Sequence, residues 1–233
     1  MRKLLSLLLG VFMLCALLAG CDAPNESYQI TTSMYQELLN VYKELLISEI
    51  NGEDVSALEP SQFTSISPEV LKALKNVTAN SANYSMGYSV KDINNDNTPE
   101  LILIDSDYTV FAVFTVINDR IVVVDDLLFE NNHMGGIDSE GTIYKTGYSK
   151  GETGYCSIYK LSASGELVGT TLGTVDSSDE IKYYFINSNE KTYVTKEEYD
   201  ELYSRYYYVF SNLRETTKSS GIEIKFILEF DPK

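Results

Sequence analysis

Oxygen-bearing side chains recur at every second position in a short polar stretch that precedes an apolar run. They are Asp92, Asn94, Asp96, Thr98 and Glu100. Calcium binds about six to eight oxygen ligands and tolerates irregular geometry, so a tight loop with this spacing can wrap one ion. Carboxylates, an amide oxygen and the main-chain carbonyl of Thr98 would supply the ligands. We therefore predict a structural Ca2+ site in this loop.

Charge favours a bound cation over a loop that binds nothing. No Lys or Arg lies among residues 92–100, so the three carboxylates would repel one another if nothing neutralised them. The alternative is an Asx-rich turn without metal, in which side-chain oxygens accept hydrogen bonds from the loop's own backbone. Asp105 and Asp107 follow the next strand and could add ligands, but we favour solvation at the surface for both.

Asn97 and Pro99 indicate the shape of the loop. The sixth position of such a loop usually needs a left-handed backbone, for which Gly is easiest and Asn97 is the next most tolerant residue. Pro99 pushes Thr98 toward an extended conformation, and its missing N–H suits the start of a strand or an edge. The loop is therefore expected to lead directly into the apolar strand that follows.

The stretch from Asp92 to Ile104 resembles D-x-[DN]-x-D-G-x-x-[DE]-L loops followed by an aliphatic strand, as in FG-GAP and integrin-like calcium loops. An EF-hand does not fit, because its twelfth position requires a bidentate Glu and here it is Leu103. Asn97 replaces the usual Gly, a departure that bears on affinity. The resemblance implies calcium ligation, and it extends to surface lipoproteins of unassigned function with a similar segment. It therefore implies no activity.

The N-terminal segment has the layout of an export signal. Two basic residues precede an apolar run that ends in small residues before Cys21. The ending L-A-G-C resembles the lipobox of bacterial lipoproteins, which implies cleavage before Cys21 and a diacylglyceryl group on its thiol. We expect a signal peptide over residues 1–20, a polar tether over 21–30, and an extracytoplasmic domain held to the cell membrane by lipid. An uncleaved transmembrane anchor is the alternative.

The charge of the chain restricts its partners. Among 233 residues, 18 are Lys or Arg and 34 are Asp or Glu, which gives a formal net charge of -16. This charge repels phosphate backbones, so nucleic acid is not an expected partner. It also repels anionic head groups, so attachment to the membrane must come from buried acyl chains. Each buried CH2 group contributes about 0.8 kcal/mol to the free energy of membrane binding. Any ligand or protein partner outside the cell remains unidentified.

Cysteine and histidine are too few to mark a catalytic or zinc site. Cys15 lies in the signal, Cys21 is the lipid site, and Cys156 is left without a disulfide partner. His133 is the one histidine, which excludes sites with several His ligands from one copy. No nucleophile signature surrounds Cys156 or His133. We favour a non-enzymatic surface binding or scaffolding module; the alternative is a secreted hydrolase that uses acidic residues on sheet loops.

Helical periodicity and capping signals predict three helices. The first runs from about Met34 to Glu49, with a capping box of Ser33 and Gln36. A second follows Ser67, with Pro68 at its first position. The third covers residues 195–213, with a capping box of Thr195 and Glu198. Its apolar stripe, expected to face the core, consists of Tyr199, Leu202, Tyr203, Tyr206, Phe210 and Leu213.

Between the second and third helices the pattern changes to short strands divided by turn residues. Asn118-Asp119 and Ser164-Gly165 are the clearest hairpin turns. Two predicted hairpins, over residues 108–126 and 154–172, share one layout: an aromatic-rich strand, a polar turn and an aliphatic strand. This repetition suggests a partly propeller-like sheet. We predict an α+β fold with a mostly antiparallel meander. The single domain would cover residues 31–233, with helices over 31–80, strands over 84–186, a helix over 195–213 and a final strand over 221–230.

Overall fold

A computed structural model describes most of the chain beyond its N-terminal segment. The described residues are 26–55, 66–81, 85–124, 134–147, 154–177, 180–187 and 190–229. Four helices and an open, antiparallel sheet of eleven strands make up this part of the molecule. The predicted α+β fold is therefore confirmed. The signal peptide, Cys21 and His133 lie outside the described residues.

One continuous sheet contains all the described strands. They are β1 (Met86–Lys91), β2 (Glu100–Asp105), β3 (Val110–Ile117), β4 (Arg120–Val123), β5 (Met134–Ile137), β6 (Thr142–Gly147), β7 (Gly154–Leu161), β8 (Leu167–Ser177), β9 (Glu180–Asn187), β10 (Glu190–Val194) and β11 (Lys225–Phe226). Their order is β10-β9-β8-β7-β6-β5-β3-β2-β1-β11, and β4 pairs with β3 beside this path. The strands thus form a meander and do not divide into separate blades.

Two N-terminal helices cover one face of β1 to β3. They are α1 (Glu26–Ile50) and α2 (Pro68–Ser81). Apolar side chains of both helices pack on Leu101, Leu103 and Phe114, which share one face of the sheet. The side chain of Ser67 accepts a hydrogen bond from the backbone N–H of Val70 at 3.3 Å, which confirms the predicted cap of α2.

The first helix is longer than predicted. It begins at Glu26, so Ser33 lies inside the helix and the predicted capping box of Ser33 and Gln36 is wrong. The last residues assigned to the tether are also helical. No Gly or Pro occurs between Pro24 and Gly52 to interrupt the helix, so the favourable helical backbone extends upstream of the first apolar position.

The opposite face of the sheet packs against another part of the same sheet. Apolar side chains of β2 and β3 share one buried cluster with those of β5, β6 and β7. Its members include Ile93, Ile102, Ile104, Val113, Ile137, Ile143 and Leu161. The strands therefore bend until distant segments of one face meet. This bend brings the turns after β5 and β7 close to the loop between β1 and β2.

The C-terminal part of the described chain adds two helices against the sheet. α3 (Lys196–Ser211) starts with the predicted capping box of Thr195 and Glu198, and α4 (Leu213–Ser219) follows it at once. The aromatic stripe of α3 faces the sheet as predicted: Tyr199 contacts Tyr183 and Phe185 of β9. The helix α4 was not predicted from the sequence.

The predicted final strand over 221–230 is wrong in length and in phase. Only β11 pairs with β1, and a 3-10 helix at Ile227–Glu229 follows it. The tight turn breaks the alternation, so Ile227 is fully buried whereas Phe226 and Leu228 are 41% and 50% exposed. Phe230 lies outside the described residues. Two short strands, β5 and β10, were also not predicted.

Candidate metal centre

The acidic loop connects β1 to β2 and is held at its base by their pairing. Lys91 pairs with Glu100, so residues 92–99 form the hairpin connection. Asn97 has a left-handed backbone with φ of 69°, as predicted, and Asn95 has one as well, with φ of 59°. Asn adopts this region more readily than most residues. The two asparagines thus let the chain turn tightly around the side chain of Asp92.

Asp92 organises the loop through its own backbone. The N–H groups of Asn95 and Asp96 donate to Asp92 Oδ1 at 2.7 and 3.3 Å, and the N–H of Asn97 donates to Oδ2 at 2.9 Å. These bonds satisfy donors that the hairpin ladder cannot pair. The hydrogen bonds expected of an Asx-rich turn are therefore present between the side chain of Asp92 and the backbone of the loop.

Asn94 and Asp96 continue the same network. The side-chain amide of Asn94 donates to Asp96 Oδ2 at 2.9 Å, and the N–H of Thr98 donates to Asp96 Oδ1 at 2.7 Å. The N–H of Asp96 donates to Asn94 Oδ1 at 3.2 Å. Every side-chain oxygen of these two residues thus has at least one donor.

Glu100 differs from the other acids because its side chain is fully buried, at 0% exposure. Its Oε2 accepts from the N–H of Ile93 and its Oε1 accepts from the hydroxyl of Thr115, both at 3.0 Å. Burial raises the pKa of Glu100 to about 7, Asp96 and Asp92 add to the rise, and the two hydrogen bonds oppose it. The carboxylate is therefore costly to keep ionised at neutral pH.

The donor set fits a hard cation in its chemistry. Four of the five predicted ligand residues lie in this loop, the fifth, Glu100, begins β2 directly after it, and the ligand atoms that they offer are oxygens. A carboxylate has about four lone-pair sites, and the bonds above use three on Asp92 and two on Asp96. Lone pairs therefore remain for a metal. Within the described ranges, however, no group of three or more His, Cys, Asp or Glu side chains is already arranged to hold an ion.

Remote segments fix the position of the loop. The hydroxyl of Tyr35 in α1 lies 3.0 Å from the carbonyl oxygen of Pro99 and 3.2 Å from that of Phe114. A Cβ on Gly141 would lie 1.7 Å from the carbonyl oxygen of Ile93. Sequence reasoning missed these residues, because their contacts depend on how distant segments meet.

The turn after β7 also reaches the loop. The side-chain amide of Asn94 donates to the carbonyl oxygen of Ser162 at 3.4 Å. Asn94 therefore links the proposed ligand residues to a turn that lies 68 residues further along the chain. No local signal in the sequence indicates this contact.

Asp105 and Asp107 do not join the acidic loop. They lie at the far end of β2, where Asp105 Oδ1 accepts from the N–H groups of Asp107 and Thr109 at 2.9 and 2.8 Å. Asp138 makes the same turn after β5, accepting from Glu140 and Thr142 at 2.9 and 2.8 Å. Both aspartates thus stabilise their own hairpin turns.

The described cysteine is not an activated nucleophile. Cys156 lies in β7, and burial raises the pKa of its thiol to about 12. A thiol, and not a thiolate, is therefore present at neutral pH. His133 lies outside the described residues.

Comparisons with protein-family models, with curated proteins and with solved structures found no match to this chain. Among the helices of the described segments, none has both the length and the apolar character required to cross a bilayer.

Proposed function

We propose that this chain is a lipid-anchored, extracytoplasmic bacterial lipoprotein that acts as a surface binding or scaffolding module. One structural Ca2+ would stabilise its loop between β1 and β2. The L-A-G-C ending at Cys21 supports the anchor, and the alternating oxygens support the ion. The observation that carries the calcium proposal is the buried carboxylate of Glu100 at the start of β2, beside Asp92 and Asp96 of a loop that contains no Lys or Arg.

The ligands would come from one continuous segment. Asp92, Asp96 and Glu100 would supply carboxylate oxygens, Asn94 its amide oxygen, and Thr98 its main-chain carbonyl. The ion would neutralise carboxylates that form no ion pair with Lys or Arg within the described part of the chain. The loop residues already hold one another through short hydrogen bonds, so little additional backbone order would be needed on binding.

A weak site is sufficient for this role. Outside a cell calcium is often millimolar, and a dissociation constant of about 0.1 mM at about 1 mM ion would add about 1.4 kcal/mol to the free energy of unfolding. For a domain of this size, that corresponds to a rise in melting temperature of about 3–6 °C. Calcium binding would stabilise the hydrophobic core as well as the loop, because β1 and β2 together contribute residues to the two largest buried apolar clusters.

Two measurements test the proposal separately. The melting temperature of the mature chain should be about 3–6 °C higher in calcium than in EGTA. Identical melting temperatures would contradict the calcium role. Labelled fatty acid should enter the wild-type protein and a Cys156→Ser control but not Cys21→Ser. A Cys21→Ser protein that still took up label and stayed on membranes would contradict the anchor.

A further inference from the structure

The loop between β1 and β2 inserts an apolar side chain, that of Ile93, into a distant part of the core. Ile93 lies between the proposed ligands Asp92 and Asn94, yet its side chain is only 3% exposed. It belongs to the buried cluster that also contains Ile143 of β6 and Leu161 of β7. The loop is therefore held by the second half of the sheet as well as by its own hairpin.

The turn after β7 packs beside the proposed calcium site. A Cβ on Gly165 of this turn would lie 2.2 Å from Ile117 Cδ1 and 3.5 Å from Thr115 Cγ2, both in β3. Thr115 is the residue whose hydroxyl donates to the proposed ligand Glu100. The turn is thus in contact with the strand that supports the site.

The carbonyl oxygen of Ser162, at the start of this turn, faces a proposed ligand side chain. It accepts from the N–H of Gly165 at 2.9 Å, which closes the turn, and from the side-chain amide of Asn94 at 3.4 Å. The same amide donates to Asp96 Oδ2 at 2.9 Å. Two oxygens from segments far apart in the sequence therefore converge on one amide nitrogen. A divalent ion would attract both oxygens more strongly than an uncharged amide does.

The proposed ligands leave room in the coordination sphere of calcium. Ca2+ takes about six to eight oxygens, and the five ligand residues supply five if each binds through one oxygen. Existing hydrogen bonds favour one oxygen from each carboxylate. Asp92 accepts three such bonds, Asp96 accepts two, and each oxygen of Glu100 accepts one. At least one further oxygen ligand is therefore needed.

We propose that the main-chain carbonyl of Ser162 is this further ligand, so that one ion joins the loop between β1 and β2 to the turn after β7. The inference rests on the proposed calcium site and names the segment that completes it. On binding, the side-chain amide of Asn94 would rotate until its oxygen faces the ion. The hydrogen bond between Asn94 and Ser162 would be replaced by two bonds to the metal, one from each residue.

Other oxygens near the loop are less suitable. The carbonyl oxygen of Pro99 accepts from the hydroxyl of Tyr35 at 3.0 Å, and that of Ile93 is covered by the backbone of Gly141. Water is the alternative, since calcium sites often include it. A water ligand would leave the carbonyl of Ser162 unchanged when calcium binds, which makes the two possibilities distinguishable.

Ligation from both segments would link the two halves of the sheet. In the order of strands, β3, β5 and β6 separate β2 from β7, so the loop and the turn meet because the sheet bends. An ion held by both would stabilise this bend. Calcium would then act on the contact between distant strands and on the loop itself.

Selective isotope labelling can observe this one carbonyl. The chain contains three Ser-Ala pairs, which begin at Ser56, Ser81 and Ser162. Mature protein labelled with 13C-carbonyl serine and 15N-alanine therefore gives three carbonyl–amide correlations in an NMR spectrum, and Ala163→Gly identifies that of Ser162 by removing it. Titration with Ca2+ should shift the Ser162 carbonyl signal more than the other two.

Calcium affinity provides a second readout. Deletion of Ala163 shortens the turn after β7 and redirects the carbonyl of Ser162, so the affinity measured by calorimetry should fall about fivefold or more. Deletion of Ser106 is the matched control. It shortens the turn after β2, which has the same pattern of backbone hydrogen bonds but lies at the opposite end of β2 from the loop. This control should keep the affinity of the wild type.

The outcomes separate this inference from the calcium site on which it rests. Calcium binding without a larger shift at Ser162 than at Ser56 and Ser81 would overturn the inference and leave the site in place. An unchanged affinity after deletion of Ala163, or an equal loss after deletion of Ser106, would overturn it in the same way. Absence of binding heat in the wild type would contradict the calcium site, and the inference with it.

Discussion

The carboxylate of Glu100 accepts a hydrogen bond from the hydroxyl of Thr115 at 3.0 Å inside the core. The two residues lie on neighbouring strands, β2 and β3, and their contact places an acid where a strand start would usually carry an apolar side chain. A buried carboxylate without a cation reduces stability when it ionises. The properties of the acidic loop therefore depend on what balances this charge.

Metal-free protein should lose stability as Glu100 ionises. Burial raises the pKa of Glu100 to about 7, whereas an unfolded Glu titrates near about 4.3. Between these values the folded state holds a proton that the unfolded chain has released, so the contribution of Glu100 to the free energy of unfolding falls as pH rises from about 4.3 to about 7, by up to about 4 kcal/mol. Urea denaturation in EGTA at several pH values measures this slope.

Glu100→Gln provides the comparison, because it removes the titrating group and nearly keeps its shape. The difference in free energy of unfolding between wild type and variant should change across this pH range and level off below it. The absolute difference is less informative, since the amide offers one acceptor oxygen where the carboxylate has two. Parallel pH profiles for the two proteins would contradict the role assigned to Glu100.

Asp92→Ala should affect both the turn and the ion. Three backbone donors lose their acceptor, so we expect a loss of about 1–2 kcal/mol in EGTA and no further stabilisation by calcium. Asp138→Ala is the matched control, because Asp138 also accepts three hydrogen bonds, two from backbone N–H groups and one from the Tyr144 hydroxyl, and is not a proposed ligand. It should lose similar stability while keeping the calcium increment. If calcium stabilised Asp92→Ala as much as the wild type, the ion would act elsewhere in the protein. The loop would then be an Asx-rich turn without metal.

Gly141→Ala should displace the loop. Gly141 has φ of 70°, and its new Cβ would lie 1.7 Å from the carbonyl oxygen of Ile93. We expect a loss of about 3 kcal/mol or more from the left-handed strain and the overlap together. Gly221 has φ of 76° but nothing within 4 Å of a new Cβ, so Gly221→Ala should lose only about 1 kcal/mol. Equal melting temperatures for the two variants would show that the loop does not press on Gly141.

Tyr35→Phe should destabilise the link between α1 and the loop. The variant removes the hydroxyl that lies near the carbonyl oxygens of Pro99 and Phe114, at a cost of about 1–3 kcal/mol. Tyr42→Phe is a milder control, because its hydroxyl meets Ser81 at 3.4 Å and Ser81 already donates to a carbonyl. Denaturation of both variants measures the difference. A loss in Tyr42→Phe as large as in Tyr35→Phe would contradict this assignment.

The sequence correctly predicted those elements whose ends carry a capping residue or a turn dipeptide. The capping box of Thr195 and Glu198 starts α3, and Ser67 caps α2. The turn at Asn118-Asp119 has φ of 50° and 58°, as a two-residue hairpin turn requires. Each of these features is determined by side chains that contact their own backbone, which is why the sequence alone was sufficient.

Elements stabilised by distant contacts were missed. β5 contains Gly135 and Gly136 and has no strand pattern, but a Cβ on Gly136 would lie 2.9 Å from Thr217 Oγ1, so the glycine permits the close approach of α4. β10 is an exposed edge strand with no buried face to give alternation. The same limit applies to the loop: its proposed ligands and the left-handed Asn97 follow from spacing, whereas its contacts with Tyr35 and Gly141 do not.

The most direct test of the account is calorimetric titration of Ca2+ into the mature, EGTA-treated and dialysed protein at neutral pH. We expect one site with a dissociation constant of about 0.1 mM, lost in Asp92→Asn and retained in Asp138→Asn. Absence of binding heat at millimolar calcium, together with an unchanged melting temperature, would contradict the calcium site. The loop would then be an Asx-rich turn that stabilises the hairpin through its backbone hydrogen bonds alone.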